Sequence, residues 1–212
     1  MLAQSTLDWP LGEYRSYRLD SGELANPTDD LAPVYTAEVH VPDAAWMRLE
    51  FAPMRLPAGS VIRMTAALDG EVQELDDDGL AMWNHGSAFF NGDTVYVDLI
   101  AGPRTTGNRL LLEKVLVHVV GKGPRGPCAG DDCGICGTDN RVPSYELWTG
   151  RLMPAGCTGS VIDESSCVVS AGHCVSGGYS DVIQFNVPTS GSNCAPNLSL
   201  IHISEPTRLL SI

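Results

Sequence analysis

The chain has 212 residues, of which 43% are hydrophobic and 18% are charged, and its net charge at pH 7 is −13. These proportions exclude a disordered chain, and the length allows one large domain or two small ones. The acidic balance argues against nucleic acid or an anionic membrane surface as a partner, because both would repel the chain. No run reaches the roughly 18 apolar residues that a membrane-spanning helix needs.

The first half of the chain predicts an irregular segment followed by a sheet. Residues 1–29 are expected to be irregular, and the opening MLAQSTLDWP has neither the basic nor the apolar region of a signal peptide. In residues 30–120, short runs alternate β-branched or aromatic residues with polar ones at a period near two. These runs are YTAEVHV, AWMRLEFA, SVIRMTAAL, TVYVDLIAG and RLLLEKVLVHVV. Turn residues separate them and no long apolar stripe has helical spacing, so we predict an antiparallel β-sandwich with little helix.

One acidic stretch and three histidines in this region raise the question of a metal site. The stretch DGEVQELDDDG, residues 69–79, offers oxygens at alternate positions, which suits calcium. It lacks the spacing of a calcium loop, so a solvated turn is the preferred interpretation. His40, His85 and His118 have no carboxylate or second histidine at useful spacing in the sequence. We therefore predict no metal ion and no cofactor.

The composition changes at residues 121–144, which read as a linker rich in Gly, Pro, Asp and Cys. Cys128, Cys133 and Cys136 include a Cys-x2-Cys pair that could supply two thiolates to zinc, but the chain has no second such pair and no His-x3-His. Seven cysteines cluster in the C-terminal part. Together with the histidine motif described below, this clustering favours a disulfide framework and an oxidising compartment, and so a secreted protein. The pairing of these three cysteines and of Cys167 and Cys194 is not readable from the sequence.

A second β segment, residues 145–197, contains a histidine in an unusual setting. Its strand-like runs are ELWTGRL, GCTGSVI, CVVSAGH and DVIQFNV. His173 follows small residues and directly precedes Cys174. Small residues leave room for a cleft, and a cysteine at this place could bond to the strand just upstream. Cys157 stands seventeen residues before Cys174, a spacing that suits two adjacent strands joined by a hairpin.

At these residues the sequence resembles the trypsin-like serine endopeptidases of the chymotrypsin fold. Their histidine motif is an aliphatic residue, Ser or Thr, Ala, a small residue, His and Cys. The residues that match are Val169, Ser170, Ala171, Gly172, His173 and Cys174. The resemblance implies that Cys157 and Cys174 form a disulfide, that His173 is the general base of a Ser-His-Asp triad, and that residues 145–197 are the first strands of an incomplete β-barrel. The β region before the linker is similar to that of bacterial secreted proteins of the lysyl endopeptidase type.

The other two members of such a triad are not found after His173. Asp181 follows it by only eight residues, too soon for the family's aspartate. Ser176, Ser180, Ser190 and Ser192 lack the Gly-Asp-Ser-Gly context of the family's nucleophile. The last residues, 198–212, read LSLIHISEPTRLLSI and resemble a translated sequencing-library adapter rather than a protease strand. We therefore expect a non-biological tail and a truncated protease.

These observations predict a fragment of a secreted serine endopeptidase, inactive by itself because its only recognisable triad member is His173. The parent enzyme would act on a protein or peptide substrate, without a cofactor or metal ion. Its substrate specificity and oligomeric state are not predicted. An alternative is a β-sandwich module that binds protein or carbohydrate and carries an inactive protease remnant; an exposed aromatic patch on one sheet would favour it. A zinc-binding linker protein is a third interpretation.

Overall fold

The computed structural model describes residues 12–119, 146–154, 157–164, 167–171, 174 and 180–185. Nearly all the regular structure in these ranges is β, arranged in antiparallel sheets, none of which closes into a barrel. The chain divides into two compact units, one formed by residues 13–119 and the other by the remaining residues. The predicted all-β fold is confirmed.

The first unit contains ten strands and one short helix. The strands are β1 (Glu13–Asp20), β2 (Leu24–Asn26), β3 (Ala32–His40), β4 (Ala44–Phe51), β5 (Val61–Ala66), β6 (Val72–Leu75), β7 (Gly86–Asn91), β8 (Thr94–Ala101), β9 (Thr105–Asn108) and β10 (Leu111–Val119). The helix α1 (Asp77–Met82) lies between β6 and β7. One four-stranded sheet has the order β1-β10-β4-β7 and the other has the order β3-β8-β5-β6, while β2 pairs with β9.

Side-chain alternation along the strands builds the core of the sandwich. In β8, Val95, Val97 and Leu99 are fully buried, while Tyr96 on the opposite face is 42% exposed. The same alternation places Ile62 and Met64 of β5 in the core. Successive side chains of a strand point to opposite faces, so a period of two in the sequence becomes one apolar face and one polar face. The amide of Ala88 on β7 donates to Oε1 of Gln73 on β6 at 2.7 Å, a bond between the two sheets.

Two strands lie in the N-terminal segment that is expected from its sequence to be irregular. β1 and β2 fall within residues 1–29, and β1 pairs with β10 over most of its length. This expectation is wrong for these residues because β1, EYRSYRLD, is an edge strand in which no residue is fully buried. Its half-buried residues are Arg15, Tyr17 and Leu19, so the alternation along β1 gives only a weak hydrophobic signal.

The acidic stretch 69–79 is not the single solvated turn that we expect from its sequence: it contains the end of a turn at Asp69, the strand β6 and the start of α1. Asp76 is the N-cap of α1, and its Oδ1 accepts a hydrogen bond from the amide of Gly79 at 2.8 Å. Asp69 accepts bonds from the amide of Glu71 and from the side-chain amide of Asn91. The protein's own donors therefore occupy these carboxylates, as is typical of caps and turns rather than of a calcium loop.

The second unit contains one open four-stranded sheet in the part that the structure describes. Its strands are β11 (Thr149–Pro154), β12 (Cys157–Val161), β13 (Val168–Val169) and β14 (Ser180–Phe185), in the order β13-β12-β11-β14. A small apolar cluster covers one face and consists of Leu152, Cys174 and Ile183, with Cys157, Val168 and Phe185 packed against it. The four strand-like runs of the sequence correspond to these four strands.

Candidate active site

The hairpin of β12 and β13 carries the start of the histidine motif. Val168 pairs with Val161 and Val169 with Ser160. At the turn, the amide of Ile162 donates to the carbonyl of Cys167 at 2.9 Å. β-branched residues on both strands favour this pairing. The motif therefore leaves the sheet at Ser170, directly after β13.

A disulfide joins Cys157 to Cys174, with 6.1 Å between the Cα atoms. This is the pairing that the resemblance implies. Cys174 is only 4% exposed, and the bond lies in the apolar cluster with Leu152 and Ile183. The bond fixes the residue after His173 to the first residue of β12.

Two further hydrogen bonds order the chain on either side of His173. The hydroxyl of Ser170 donates to the carbonyl of Thr158 at 2.7 Å. The amide of Cys174 donates to the carbonyl of Ala171 at 2.8 Å. Residues before and after the histidine are thus tied to β12 or to each other.

His173 itself lies outside the described residues, and so do Ser176, Ser190 and Ser192. Asp181 and Ser180 belong to β14, although their side chains are also outside what the structure describes. The structure thus brings the two predicted cysteines together. The role of His173 stays a prediction.

The remaining cysteines give one further observation. Cys128, Cys133, Cys136 and Cys194 lie outside the described residues, while Cys167 is a free thiol. A hydrogen bond to Asp163 raises the pKa of this thiol, and burial and the charge of Asp163 raise it further. A raised pKa disfavours the thiolate, the nucleophilic form, so Cys167 is poorly suited to nucleophilic attack.

The structure gives partners to two histidines that look isolated in the sequence. Nδ1 of His40 lies 2.9 Å from Oγ1 of Thr94 and 3.9 Å from Oδ1 of Asp93. The ring of His118 stacks on that of Trp46 with 5.9 Å between the ring centres. Strand pairing brings these residues together across long stretches of sequence, which spacing along the chain does not reveal. Oγ1 of Thr94 donates its hydrogen to Oδ1 of Asp93 rather than to the His40 ring. Trp46, the partner of His118, has no hydroxyl group. Among the described residues, neither histidine therefore has a hydroxyl that donates to it as a nucleophile would.

The third histidine, His85, borders an open pocket of about 270 Å³ near α1. The pocket is lined by Pro53, Met54, Arg55, Asp77, Ala81 and His85. Oδ2 of Asp77 accepts a bond from Nη1 of Arg55 at 2.7 Å. The pKa of Asp77 is lowered first by the hydrogen bond from the amide of Leu56 and then by Arg55. The charges of Asp77 and Arg55 therefore offset each other in part, and Asp78 adds a further negative charge near Arg55.

Among the residues that the structure describes, no three His, Cys, Asp or Glu side chains group closely enough to hold a metal ion. Nor does any helix in the described ranges combine the length and the apolar character needed to cross a membrane.

Comparison with known proteins adds no identification. No protein-family model matches the chain, and no curated protein matches it. What the chain does must therefore be inferred from its residues and their geometry.

Proposed function

We propose that the second unit is the histidine-bearing part of a trypsin-like serine endopeptidase domain, with His173 as its general base. The observation that carries this proposal is the disulfide between Cys157 and Cys174. It connects the motif VVSAGHC to the neighbouring strand at the place that the resemblance implies. The described residues of the motif are held in place by three features: the pairing of strand β13, the hydrogen bond of the Ser170 hydroxyl and the burial of Cys174.

In this role His173 would take the proton from a serine hydroxyl as that oxygen attacks the peptide carbonyl, and then give it to the leaving amine. A carboxylate must hold the imidazole in the correct tautomer. The chain contains no Gly-Asp-Ser-Gly run to supply the nucleophile. We therefore expect residues 1–212 alone not to hydrolyse peptides, because the covalent route needs the serine.

Secretion belongs to the same proposal. The disulfide supports it, since such bonds form and persist in oxidising compartments. The substrate would be a protein or peptide.

The test begins with the gene that encodes the chain. The locus is read past the codon for Asn197, and the longer reading frame is expressed and assayed on peptide substrates. We expect that frame to contain an aspartate and a Gly-Asp-Ser-Gly run, and His173→Ala to lower kcat by at least 10³-fold. His40→Ala, in the first unit, is the matched control and should leave kcat unchanged. A gene that encodes LSLIHISEPTRLLSI and then stops, or a His173→Ala enzyme that keeps its activity, would refute the proposal.

The binding-module alternative gains no support from the first unit. Among its described aromatic side chains, Tyr14 and Tyr96 are the exposed ones, at 60% and 42%. Tyr14 lies on β1 and Tyr96 on β8, which belong to different sheets. Tyr14 also packs against the Lys114 ammonium, 4.4 Å from the ring centre. The first unit, whose residues 13–119 are all described, thus lacks the aromatic patch on one sheet that this alternative needs.

A further inference from the structure

Beyond the backbone pairing of β13 with β12, two contacts hold Ser170 and Cys174 to strand β12, and they use neighbouring residues of that strand. Cys157 bonds to Cys174 through the disulfide, and the carbonyl of Thr158 accepts the hydrogen bond from the hydroxyl of Ser170. Ser170 stands three residues before His173, and Cys174 stands directly after it. The chain is therefore tied to one strand on both sides of the histidine.

The Ser170 hydroxyl acts where the pairing of the strands ends. Val169 opposite Ser160 is the last pair of the β12–β13 register in this direction. Thr158 lies two residues further along β12, so the side-chain bond extends the connection beyond the backbone pairing. Alanine at position 170 could not donate this bond, whereas threonine could.

We infer that Ser170 is a positioning residue for His173, an inference that rests on the proposed endopeptidase function. A general base must come within hydrogen-bond reach of the proton that it takes, and a misplacement of about 1 Å can cost on the order of 10²-fold in rate. The disulfide fixes the chain after the histidine, and Ser170 fixes it before the histidine. Ser170 donates its hydrogen to a main-chain carbonyl, so it is not the nucleophile itself.

The first test uses residues 1–212 and nuclear magnetic resonance of the five histidine rings. The His173 signals are assigned by their loss in His173→Gln. We expect Ser170→Ala to shift or broaden them and Ser170→Thr to keep them. Ser160→Ala is the matched control: Ser160 lies on β12, as Thr158 does, but its Oγ lies 3.3 Å from Oγ1 of Thr149 on β11, so its loss should not affect the His173 ring. A peptide map locates the disulfide between Cys157 and Cys174 in each variant, and circular dichroism shows whether the fold is retained. His173 signals that stay unchanged in Ser170→Ala would overturn the inference.

The second test uses the longer reading frame. We expect Ser170→Ala to lower kcat about tenfold with KM nearly unchanged, and Ser170→Thr to restore kcat. If His173→Ala abolishes hydrolysis while Ser170→Ala matches the wild type, the positioning role fails and the proposed function stands. If His173→Ala retains activity, the proposed function itself fails.

Discussion

Asn26 and Asn108 are asparagines buried in the first unit, at 1% and 0% exposure. Nδ2 of Asn26 contacts the carbonyls of Asp30, Ala101 and Gly102, and its Oδ1 accepts from the amide and hydroxyl of Thr28. Asn108 accepts from the hydroxyl of Ser60, which in turn accepts from the amide of Gly102. Buried polar groups are costly unless they are bonded, so this network allows irregular backbone inside the sandwich.

Replacing Asn26 tests that network. Asn26→Ala removes the Nδ2 donor from the buried carbonyls of Ala101 and Gly102, of which Gly102 keeps the hydroxyl of Thr105. We therefore expect it to lower the free energy of unfolding by about 2 kcal/mol. Urea unfolding of the full chain measures the loss. The control is Thr36→Ala, which removes an exposed bond to Asp98 and should change stability by less than about 0.5 kcal/mol. Equal effects of the two substitutions would contradict a special role for the buried network.

The ion pair between Asp20 and Arg109 gives the first unit a defined response to acid. Nε and Nη2 of Arg109 donate to the two carboxylate oxygens at 2.9 and 2.6 Å. This contact, helped by the amide of Gly22, lowers the pKa of Asp20 from 3.8 to about 2. The unfolded chain therefore binds the proton first as pH falls, so the stabilisation is complete above about pH 4 and is lost towards pH 2.

Asp20→Asn should accordingly flatten the dependence of stability on pH between 4 and 2. Urea midpoints at several pH values measure this slope. Arg109→Gln removes the main cause of the lowered pKa and should flatten the slope as well, and the double variant should be no flatter than Asp20→Asn. A slope that Asp20→Asn leaves unchanged would show that other carboxylates dominate.

At the scale of elements, α1 depends on its N-cap because it has only six residues. Short helices form poorly without tertiary contacts, and an unbonded amide in the first turn weakens them further. We expect Asp76→Ala to lower stability by about 1 kcal/mol, while Asp76→Asn keeps an oxygen acceptor and most of the stability. Hydrogen exchange at the Gly79 amide is the direct measurement: it should quicken in the alanine variant and stay slow in the asparagine variant. Slow exchange in both would mean that the cap contributes nothing.

The elements that the sequence predicts well are those with one buried and one polar face. β8 and β5 alternate regularly, and both are predicted as strands. β7, GSAFFN, is not predicted, because five of its six residues are buried and the alternation is absent. A short apolar run of this kind is compatible with either a strand or a helix.

The same limits apply to the candidate site. Cys157 begins β12 and Cys174 follows β13 by five residues, so the two are close in sequence. Their spacing and the resemblance therefore suffice to predict the bond. The contact of Ser170 with Thr158 depends on the register of that hairpin, and the contact of His40 with Thr94 depends on two strands far apart in sequence. Register and long-range pairing are set by the packed sheet as a whole, and a single sequence specifies them weakly.

At the scale of the whole molecule, the cysteines are confined to one part of the sequence. Residues 1–119 contain no cysteine, and all seven cysteines follow them in the sequence, as the histidine motif does. The first unit is held by its apolar core and its buried polar network. The second has a small described core, with the disulfide inside it.

Reduction should therefore act on the two units differently. Breaking the bond between Cys157 and Cys174, which are 17 residues apart, frees a loop whose closure is worth about 3 kcal/mol in the chain-entropy model. That is a large share of the roughly 5–15 kcal/mol by which a folded domain is typically stable. The loss falls on the second unit, whose described core is the smaller one. We expect dithiothreitol to abolish slow hydrogen exchange in β11, β12 and β14 while exchange in β4, β8 and β10 stays unchanged. The variant with Cys157→Ser and Cys174→Ser should behave without reductant as the wild type does with it, which separates this bond from the other cysteines. Loss of protection in β8 on reduction would mean that the first unit depends on the second, contrary to the independent core that the strands of residues 13–119 form.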